Sequence, residues 1–196
     1  MRIGITLNEV LRDYVGQFEY VYNKFVPLSE EEELHSEHKT AELLEIENIK
    51  FKDMGQLNTF LYMDTPLEIF GHADQMHEAL NAKVNEFLVD MEDEEEREII
   101  LISVEHDKSI PATNFFLSKT GMRFRNIKFV KKEIDIWDEV DMLITANPRL
   151  IDLKPSHKKL IKINHPYNNH KEVKYNYDTI MDFIDNKEIL NNLENE

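Results

Sequence analysis

Cysteine is absent from this sequence of 196 residues, which excludes disulfide bonds, thiolate catalysis and cysteine-ligated zinc. The apolar runs are short, and none approaches the length that a transmembrane helix needs. The first residues lack the basic and apolar pattern of a secretory signal peptide. We therefore expect a cytoplasmic protein that is not bound to a membrane.

Basic residues are also scarce, with 23 Lys and Arg against 39 Asp and Glu and a formal net charge of −16. This charge argues against general affinity for nucleic acid or for an anionic membrane surface, and we expect neither as a partner. Identical copies repel one another at long range, so self-association requires local contacts or screening by salt. The hydrophobic fraction of 41% is nevertheless typical of a folded globular protein.

Short apolar runs rich in β-branched residues predict strands that are buried on both faces. The predicted strands lie at residues 3–7, 99–103, 127–130, 142–145 and 160–163. Helical patterns lie between them, at residues 11–25, at 111–120 before Gly121, and at 148–153 after Asn147. This alternation predicts an α/β fold with a parallel sheet flanked by helices.

The stretch between the first two predicted strands is rich in helical patterns and too long for a simple crossover connection. Helices are predicted there at residues 29–46, 55–63 and 65–91. Ser29 and Thr65 begin capping boxes, and a continuous apolar stripe follows Thr65. The predicted domains are a sheet domain of residues 1–25 plus 97–175, an inserted helical cap of residues 26–96, and a C-terminal helical tail of residues 176–196.

Several motifs occur in the order and spacing of a known superfamily. The first strand leads into Thr6-Leu-Asn-Glu-Val-Leu-Arg-Asp13, Ser103 ends the second strand, and Leu143-Ile-Thr-Ala-Asn-Pro148 lies at the fourth. With Lys131 or Lys132 between them, this arrangement resembles the haloacid-dehalogenase-like (HAD) superfamily, and within it the 5′(3′)-deoxyribonucleotidases. The resemblance implies a HAD-like Rossmannoid parallel sheet flanked by helices, with a helical cap inserted after the first strand.

The resemblance also implies a chemical role for each of these positions. In the superfamily, one aspartate attacks phosphorus, a second is the general acid and base, and an acidic pair after the fourth strand holds Mg²⁺. Those positions are occupied here by the non-acidic residues Thr6, Asn8, Thr145 and Ala146. Ser103 and Lys132 stand at the phosphate-binding positions, and Glu9 replaces a glycine. We therefore expect a degenerate site with no phosphatase activity, no metal ion and no cofactor.

The sequence keeps the strand pattern of the superfamily but lacks these acids, and this combination favours a non-catalytic role. We predict a structural or protein-interaction component of a homo- or hetero-oligomeric assembly. The richness in Asn, Lys, Ile, Glu and Asp is typical of an AT-rich genome, and a bacteriophage virion protein of the neck or tail ring is the setting that we predict.

Two alternatives remain open at this point. One is a divergent Mg²⁺-dependent 5′-nucleotidase or phosphatase that uses the displaced acids Glu9 and Asp13. The other is a module that binds a phosphorylated ligand through Ser103 and the lysines at 131 and 132.

Overall fold

A parallel sheet is the centre of the molecule. The computed structural model describes residues 1–27, 33–34, 40, 42–92 and 97–194, and within them six parallel strands form one sheet. The strands are β1 (Arg2–Thr6), β2 (Glu98–Val104), β3 (Asn126–Val130), β4 (Met142–Thr145), β5 (Lys159–Ile163) and β6 (Asn176–Tyr177). Their order, β3-β2-β1-β4-β5-β6, is that of a doubly wound, Rossmann-like fold. The α/β prediction is confirmed, and β6 is too short to be recognised from its sequence.

Helices connect and cover the strands. They are α1 (Tyr14–Phe25), α2 (Met54–Thr59), α3 (Leu80–Glu92), α4 (Ser109–Thr120), α5 (Glu133–Glu139), α6 (Pro148–Asp152), α7 (Ile180–Asp185) and α8 (Ile189–Glu194). There are also 3₁₀ turns at Leu43–Glu45 and Pro166–Asn168, and π-helical turns at Phe60–Asp64 and Leu67–Gly71. None of the described helices combines the length and the apolar character that crossing a bilayer requires.

The sheet is buried on both faces, as its apolar strands require. One face carries Ile3 and Ile5 and is covered by α3, α4, α7 and α8. The other face carries Ile100, Ile102 and Leu143 and is covered by α5 and α6. The result is a three-layer arrangement in which the central strand β1 is packed from both sides.

The first helix begins later than residue 11, where the apolar pattern predicts its start. The backbone amides of Leu11 and Arg12 both donate to the Leu7 carbonyl, which closes a loop after β1. Helix α1 starts only at Tyr14, after Asp13, whose side chain accepts a hydrogen bond from the Gly16 amide. Leu11 is an apolar residue that is buried in the loop. Its position in the sequence continues the apolar spacing of α1, which is why the pattern predicts one turn of helix too many.

The prediction of one continuous helix over residues 65–91 is wrong. The π-helical turn Leu67–Gly71 is separated from α3 by a non-helical segment that ends at Ala79, whose backbone is left-handed (φ 61°). Thr65 is predicted to begin a capping box, but its hydroxyl donates to the Phe60 carbonyl (2.8 Å). No side chain caps the Leu67–Gly71 turn. The two parts also pack differently, because the turn that contains Ile69 packs against α1 and α4 whereas α3 packs on the sheet.

A separate hydrophobic cluster joins α1 to residues of the segment predicted as a cap. It contains Phe18 and Tyr22 of α1 with Leu57, Phe60 and Ile69. Helix α3, although within residues 26–96, belongs to the sheet core, and so do α7 and α8 of the predicted tail. The division into the three predicted domains stays a prediction. Most of the predicted helix at 29–46 lies outside the described residues, and its described end is the 3₁₀ turn Leu43–Glu45.

Candidate functional site

A cavity of about 250 Å³ lies at the carboxyl ends of the central strands. Thr6, Asn8 and Glu9 line it from the end of β1 and the loop that follows, Ser103 from β2, and Asn147 from the residue that precedes α6. In doubly wound sheets, ligands bind outside the carboxyl ends of the strands, where the strand order reverses. Here that point lies between β1 and β4, so the cavity is at the expected place for a site.

The two threonines at this point are hydrogen-bonded to each other. The Thr6 hydroxyl donates to Thr145 Oγ1 at 3.1 Å and lies 3.3 Å from the Ile144 carbonyl. Thr145 Oγ1 also accepts from the Asn147 amide at 3.1 Å, and both threonines are buried. Ala146 is fully buried, and its carbonyl accepts from Asn168 Nδ2 at 2.7 Å. These positions therefore serve internal hydrogen bonding and packing.

Asn8 is held by Arg12, a fully buried arginine that sequence reasoning missed. The guanidinium of Arg12 donates to Asn8 Oδ1 through Nε (2.9 Å) and Nη2 (2.6 Å). It also donates to Glu105 Oε1 (2.9 Å), to Thr113 Oγ1 (2.7 Å) and to the Phe70 carbonyl (3.1 Å). Arg12 and Glu105 form an ion pair in which both side chains are 0% exposed.

Ser103 belongs to the same buried network. Its hydroxyl donates to Glu105 Oε1 at 3.1 Å, the oxygen that also accepts from Arg12 and Thr113. The Arg12 guanidinium lies 5.1 Å from the centre of the Phe70 ring, which favours a cation on that face. Asn8 and Ser103 line the cavity, but Asn8 Oδ1 and Ser103 Oγ are engaged with this ion pair.

Glu9 and Asp13, the displaced acids, both lie at the amino end of α1. Glu9 Oε1 accepts from the amides of Tyr14 (2.8 Å) and Val15 (2.9 Å), and Asp13 Oδ1 accepts from the Gly16 amide (2.9 Å). A helix amino terminus offers such unpaired amides and a positive partial charge to a carboxylate. Glu9 reaches this position with a left-handed backbone (φ 60°).

The predicted site residues are only partly brought together. Thr6, Asn8 and Ser103 line the cavity, Thr145 lies directly behind Thr6, and Ala146 is fully buried. Lys131 and Lys132 are exposed on the segment between β3 and α5 and do not line the cavity. The combination of Ser103 with a lysine, which the resemblance implies, is therefore not formed.

No protein-family model and no curated protein matches this chain. The described residues contain no group of three or more histidine, aspartate or glutamate side chains placed to hold a metal ion. The chemistry that the cavity can support depends on the side chains that line it.

Three tyrosines complete the lining, and the sequence gives no signal for them because they come from three separate elements. Burial, together with the nearby Tyr62, raises the pKa of Tyr14 well above its usual value. Burial raises the pKa of Tyr62 to about 12, with Glu105 acting in the same direction and Arg12 against it. Burial and the charge of Glu9 also raise the pKa of Tyr167. These hydroxyls stay protonated near neutral pH.

Negative charge dominates the lining. Glu9 and Glu133 both line the cavity, and Glu133 Oε1 accepts from Asn147 Nδ2 at 2.7 Å. Among the described residues, the lining includes no lysine or arginine. The nearby Arg149 forms an ion pair with Glu42 (2.7 Å) and lies 3.9 Å from Glu133. A phosphate dianion in this cavity would meet two carboxylates and no cationic side chain, which is unfavourable for binding.

Proposed function

We propose that this chain is a non-catalytic HAD-like protein that acts as a structural or protein-interaction component of an assembly. One observation carries the proposal: Thr6 and Thr145, which occupy two of the positions that the resemblance assigns to acids, are buried and hydrogen-bonded to each other. A threonine pair of this kind supplies neither the nucleophilic carboxylate nor the charged oxygen ligands that Mg²⁺ prefers.

The surroundings of Asn8 support the same proposal. An amide has no titratable proton near neutral pH, so Asn8 cannot serve as general acid and base. It accepts instead from Arg12, within a buried network that includes Glu105 and Ser103. Glu105 Oε1 accepts three of the bonds in this network, while Glu105 Oε2 is buried without a hydrogen-bond partner among the described residues. Hydrogen bonds in a low-dielectric interior are strong, so the network holds its members in place. Residues that would bind and cleave a phosphate ester in an enzyme are used here to fix the loop between β1 and α1.

We further propose that the partners are other proteins, in a homo- or hetero-oligomeric assembly. The net charge of −16 favours protein partners over nucleic acid. The amino-acid composition, which is typical of an AT-rich genome, supports a bacteriophage setting. In that setting the chain is made in the host cytoplasm and incorporated into a virion neck or tail ring. Co-purification from the native source, followed by mass measurement of the intact complex, tests this. Recovery of the chain as a monomer outside any particle or complex would overturn it.

A divergent Mg²⁺-dependent nucleotidase is the second candidate, because Glu9 is an acid that lines the cavity. Its carboxylate and that of Asp13 accept hydrogen bonds from the amino end of α1, which supports a capping role for both. The third candidate, a phosphate-binding module, has less support because Ser103 donates to Glu105 and Lys132 lies outside the cavity.

Phosphate release separates these candidates. Deoxynucleoside monophosphates and p-nitrophenyl phosphate are incubated with the full chain, with and without Mg²⁺, and inorganic phosphate is measured. We expect no Mg²⁺-dependent release. Release that disappears in Glu9→Gln or Asp13→Asn, but persists in the control Glu47→Gln at an exposed surface position, would establish the nucleotidase. Heat of binding with inorganic phosphate, measured by calorimetry on the same samples, would establish the binding module.

A further inference from the structure

Three tyrosine hydroxyls at the candidate site have no hydrogen-bond partner within the described residues. The rings of Tyr14 and Tyr62 both stack on Phe70, with ring centres 5.6 Å and 5.5 Å apart. The ring of Tyr167 stacks on His165 at 5.1 Å. Tyr167 is only 7% exposed, and a polar group buried to that degree is normally hydrogen-bonded. The partner of its hydroxyl therefore comes from what fills the cavity.

The three hydroxyls meet around one space. All three tyrosines line the cavity, and none of their hydroxyl oxygens is fully enclosed by protein atoms. Burial is the main cause of the raised pKa of Tyr14 and Tyr62 is the next, so these two hydroxyls are near each other. Burial is also the main cause of the raised pKa of Tyr167, and the charge of Glu9 acts on both Tyr167 and Tyr14.

Apolar side chains form another part of the lining. Ile102, Ile136 and Leu150 are at most 2% exposed and belong to the core on the α5 and α6 side of the sheet. The cavity of about 250 Å³ holds roughly eight water molecules at about 30 Å³ each, and it is smaller than the sites of about 300–1,000 Å³ that take drug-sized ligands. A ligand that fills it is small, with an apolar face and several hydrogen-bonding groups.

Charge narrows the class of ligand further. An anion is disfavoured, because the described lining contains carboxylates and neither lysine nor arginine. Glu133 lies 3.9 Å from Arg149, which also pairs with Glu42 at 2.7 Å, so the Glu133 charge already faces a cation. A neutral ligand meets no repulsion and needs no countercharge. The Glu133 carboxylate still has acceptor capacity for a ligand hydroxyl.

We propose that this cavity binds a neutral polyhydroxylated ring, of the kind found in a pyranose sugar. Each hydroxyl of such a ring donates and accepts, and so does each tyrosine hydroxyl, so the two sets match in both directions. The C–H groups of the ring pack on the apolar lining. The inference goes beyond the proposed function, because it assigns a ligand to the cavity whether or not the chain joins an assembly. A free monosaccharide and the terminal residue of a glycan share this chemistry.

Isothermal titration calorimetry on the full chain tests the proposal. The neutral probes are glucose, galactose, mannose and N-acetylglucosamine. We expect at least one of them to bind with a dissociation constant of about 1 mM or tighter. The 2-amino and the 6-phosphate derivatives of the sugar that binds carry a positive and a negative charge, and each should bind more weakly than the neutral sugar. No heat from any neutral probe at about 10 mM, or tighter binding of a charged derivative, would overturn the proposal.

Tyr14→Phe/Tyr167→Phe removes two of the hydroxyls and keeps both rings. We expect binding of the sugar to weaken by about tenfold or more, because two hydrogen bonds to the ligand are lost. The free energy of unfolding without sugar should not fall, since these hydroxyls have no partner in the described part of the folded chain. Loss of a purely structural hydroxyl would lower stability and leave binding unchanged, so urea unfolding and calorimetry together separate the two roles.

Tyr20→Phe is the matched control, because Tyr20 is 62% exposed and lies outside the cavity. It should change sugar binding by less than about twofold. Equal binding to the double variant and to the wild type would overturn the proposal, and so would an equal loss of binding in the Tyr20→Phe control.

A further comparison identifies the source of the ring. A disaccharide that carries the bound sugar at its non-reducing end is titrated beside the free monosaccharide. Affinities that agree within about threefold would support the terminal residue of a glycan as the ligand, whereas a loss of about tenfold or more would support a free monosaccharide. Either result requires a pyranose ring in the cavity.

The sugar titration and the phosphate-release assay fail independently. Absence of sugar binding would remove the proposed ligand and leave the absence of catalysis as measured. Mg²⁺-dependent phosphate release would remove the non-catalytic proposal whatever the sugars do.

Discussion

Arg12 is the residue on which the loop between β1 and α1 depends most. Its guanidinium is fully buried and donates to Asn8, Glu105 and Thr113. Taking two charges out of water is costly, and the ion pair offsets that cost only while both partners are present. The Glu105 carboxylate would otherwise remain buried beside neutral hydroxyl groups.

We expect Arg12→Met to lower the free energy of unfolding by about 3–5 kcal/mol, because it leaves an uncompensated buried carboxylate. Equilibrium urea unfolding near neutral pH measures the loss. The exposed Arg123→Met is the control and should change little. The double variant Arg12→Met/Glu105→Gln should recover much of the loss, since it removes the unpaired charge. A loss below about 1 kcal/mol for Arg12→Met would contradict this account of the ion pair.

Tyr62 provides a pH test at the same scale. Its pKa rises from 10.0 to about 12 on folding, chiefly through burial. The folded state therefore holds this proton more tightly than the unfolded state, and the stability that this provides is present below pH 10 and lost between pH 10 and about 12. Each pH unit in that window removes about 1.4 kcal/mol for one such group.

We expect Tyr62→Phe to lose less stability than the wild type between about pH 9 and about pH 11, as measured by urea unfolding at both values. Other groups titrate in both proteins, so the difference between the two losses reports on Tyr62 and on its effect on the pKa of Tyr14. Tyr20→Phe, at an exposed side chain, is the matched control and should follow the wild type. Equal losses in Tyr62→Phe and wild type would show that the hydroxyl is not desolvated.

At the scale of elements, strands β1 to β5 could be predicted from the sequence, whereas the two-residue β6 and several helices could not. The apolar run at residues 99–103 is buried on both faces, so composition alone identifies it, and β2 (Glu98–Val104) is found there. The stripe over residues 65–91 keeps helical spacing across a break. The spacing of apolar residues indicates that they are buried, but it does not indicate which hydrophobic cluster they join. Here Ile69 and Leu80 belong to different clusters.

The candidate site could be predicted in part for a similar reason. Thr6, Asn8 and Ser103 follow predicted strands, and the carboxyl ends of parallel strands meet at one edge. The burial of Arg12 could not be predicted, because the sequence around it, one arginine beside two apolar residues, is the same as that of an exposed arginine in a surface loop. Its partner Glu105 lies 93 positions further along the chain.

Gly4 tests how tightly the layers are packed at β1. A Cβ at this position would lie 2.7 Å from Val140 Cγ1 and 3.0 Å from Leu143 Cδ1. We expect Gly4→Ala to destabilise the fold by about 1–3 kcal/mol through overpacking, measured by urea unfolding. Adding Val140→Ala removes the nearer contact, so the double variant should lose less than the sum of the single losses. Strict additivity would contradict a steric origin.

At the scale of the whole molecule, the net charge of −16 opposes both compaction and association. The ion pairs on the surface, such as Lys171 with Asp152, are partly exposed and contribute little each. Long-range repulsion is therefore the electrostatic effect that salt changes most, since the Debye length shortens as ionic strength rises.

We expect the thermal midpoint and any self-association to increase when NaCl is raised from about 10 mM to about 150 mM, since screening reduces repulsion. Differential scanning calorimetry and sedimentation velocity measure the two quantities. Glu47→Lys, at an exposed position, reduces the magnitude of the net charge by two units and should show a smaller response to salt. A midpoint that falls as salt increases would mean that attractive ion pairs dominate.

Glu9 has a consequence for how the chain can change by mutation. Its left-handed backbone costs about 1–2 kcal/mol in a residue other than glycine, while each hydrogen bond from an amide to its charged carboxylate contributes about 1.5–3 kcal/mol. Glu9→Gly would remove the backbone cost, which is the smaller quantity, and would also lose the two hydrogen bonds to the carboxylate, which together contribute more. Under the ancestry that we propose, the loop now depends on the glutamate that replaced its glycine. A single Glu9→Gly substitution would destabilise the loop, so selection acts against a return to the ancestral sequence by single substitutions.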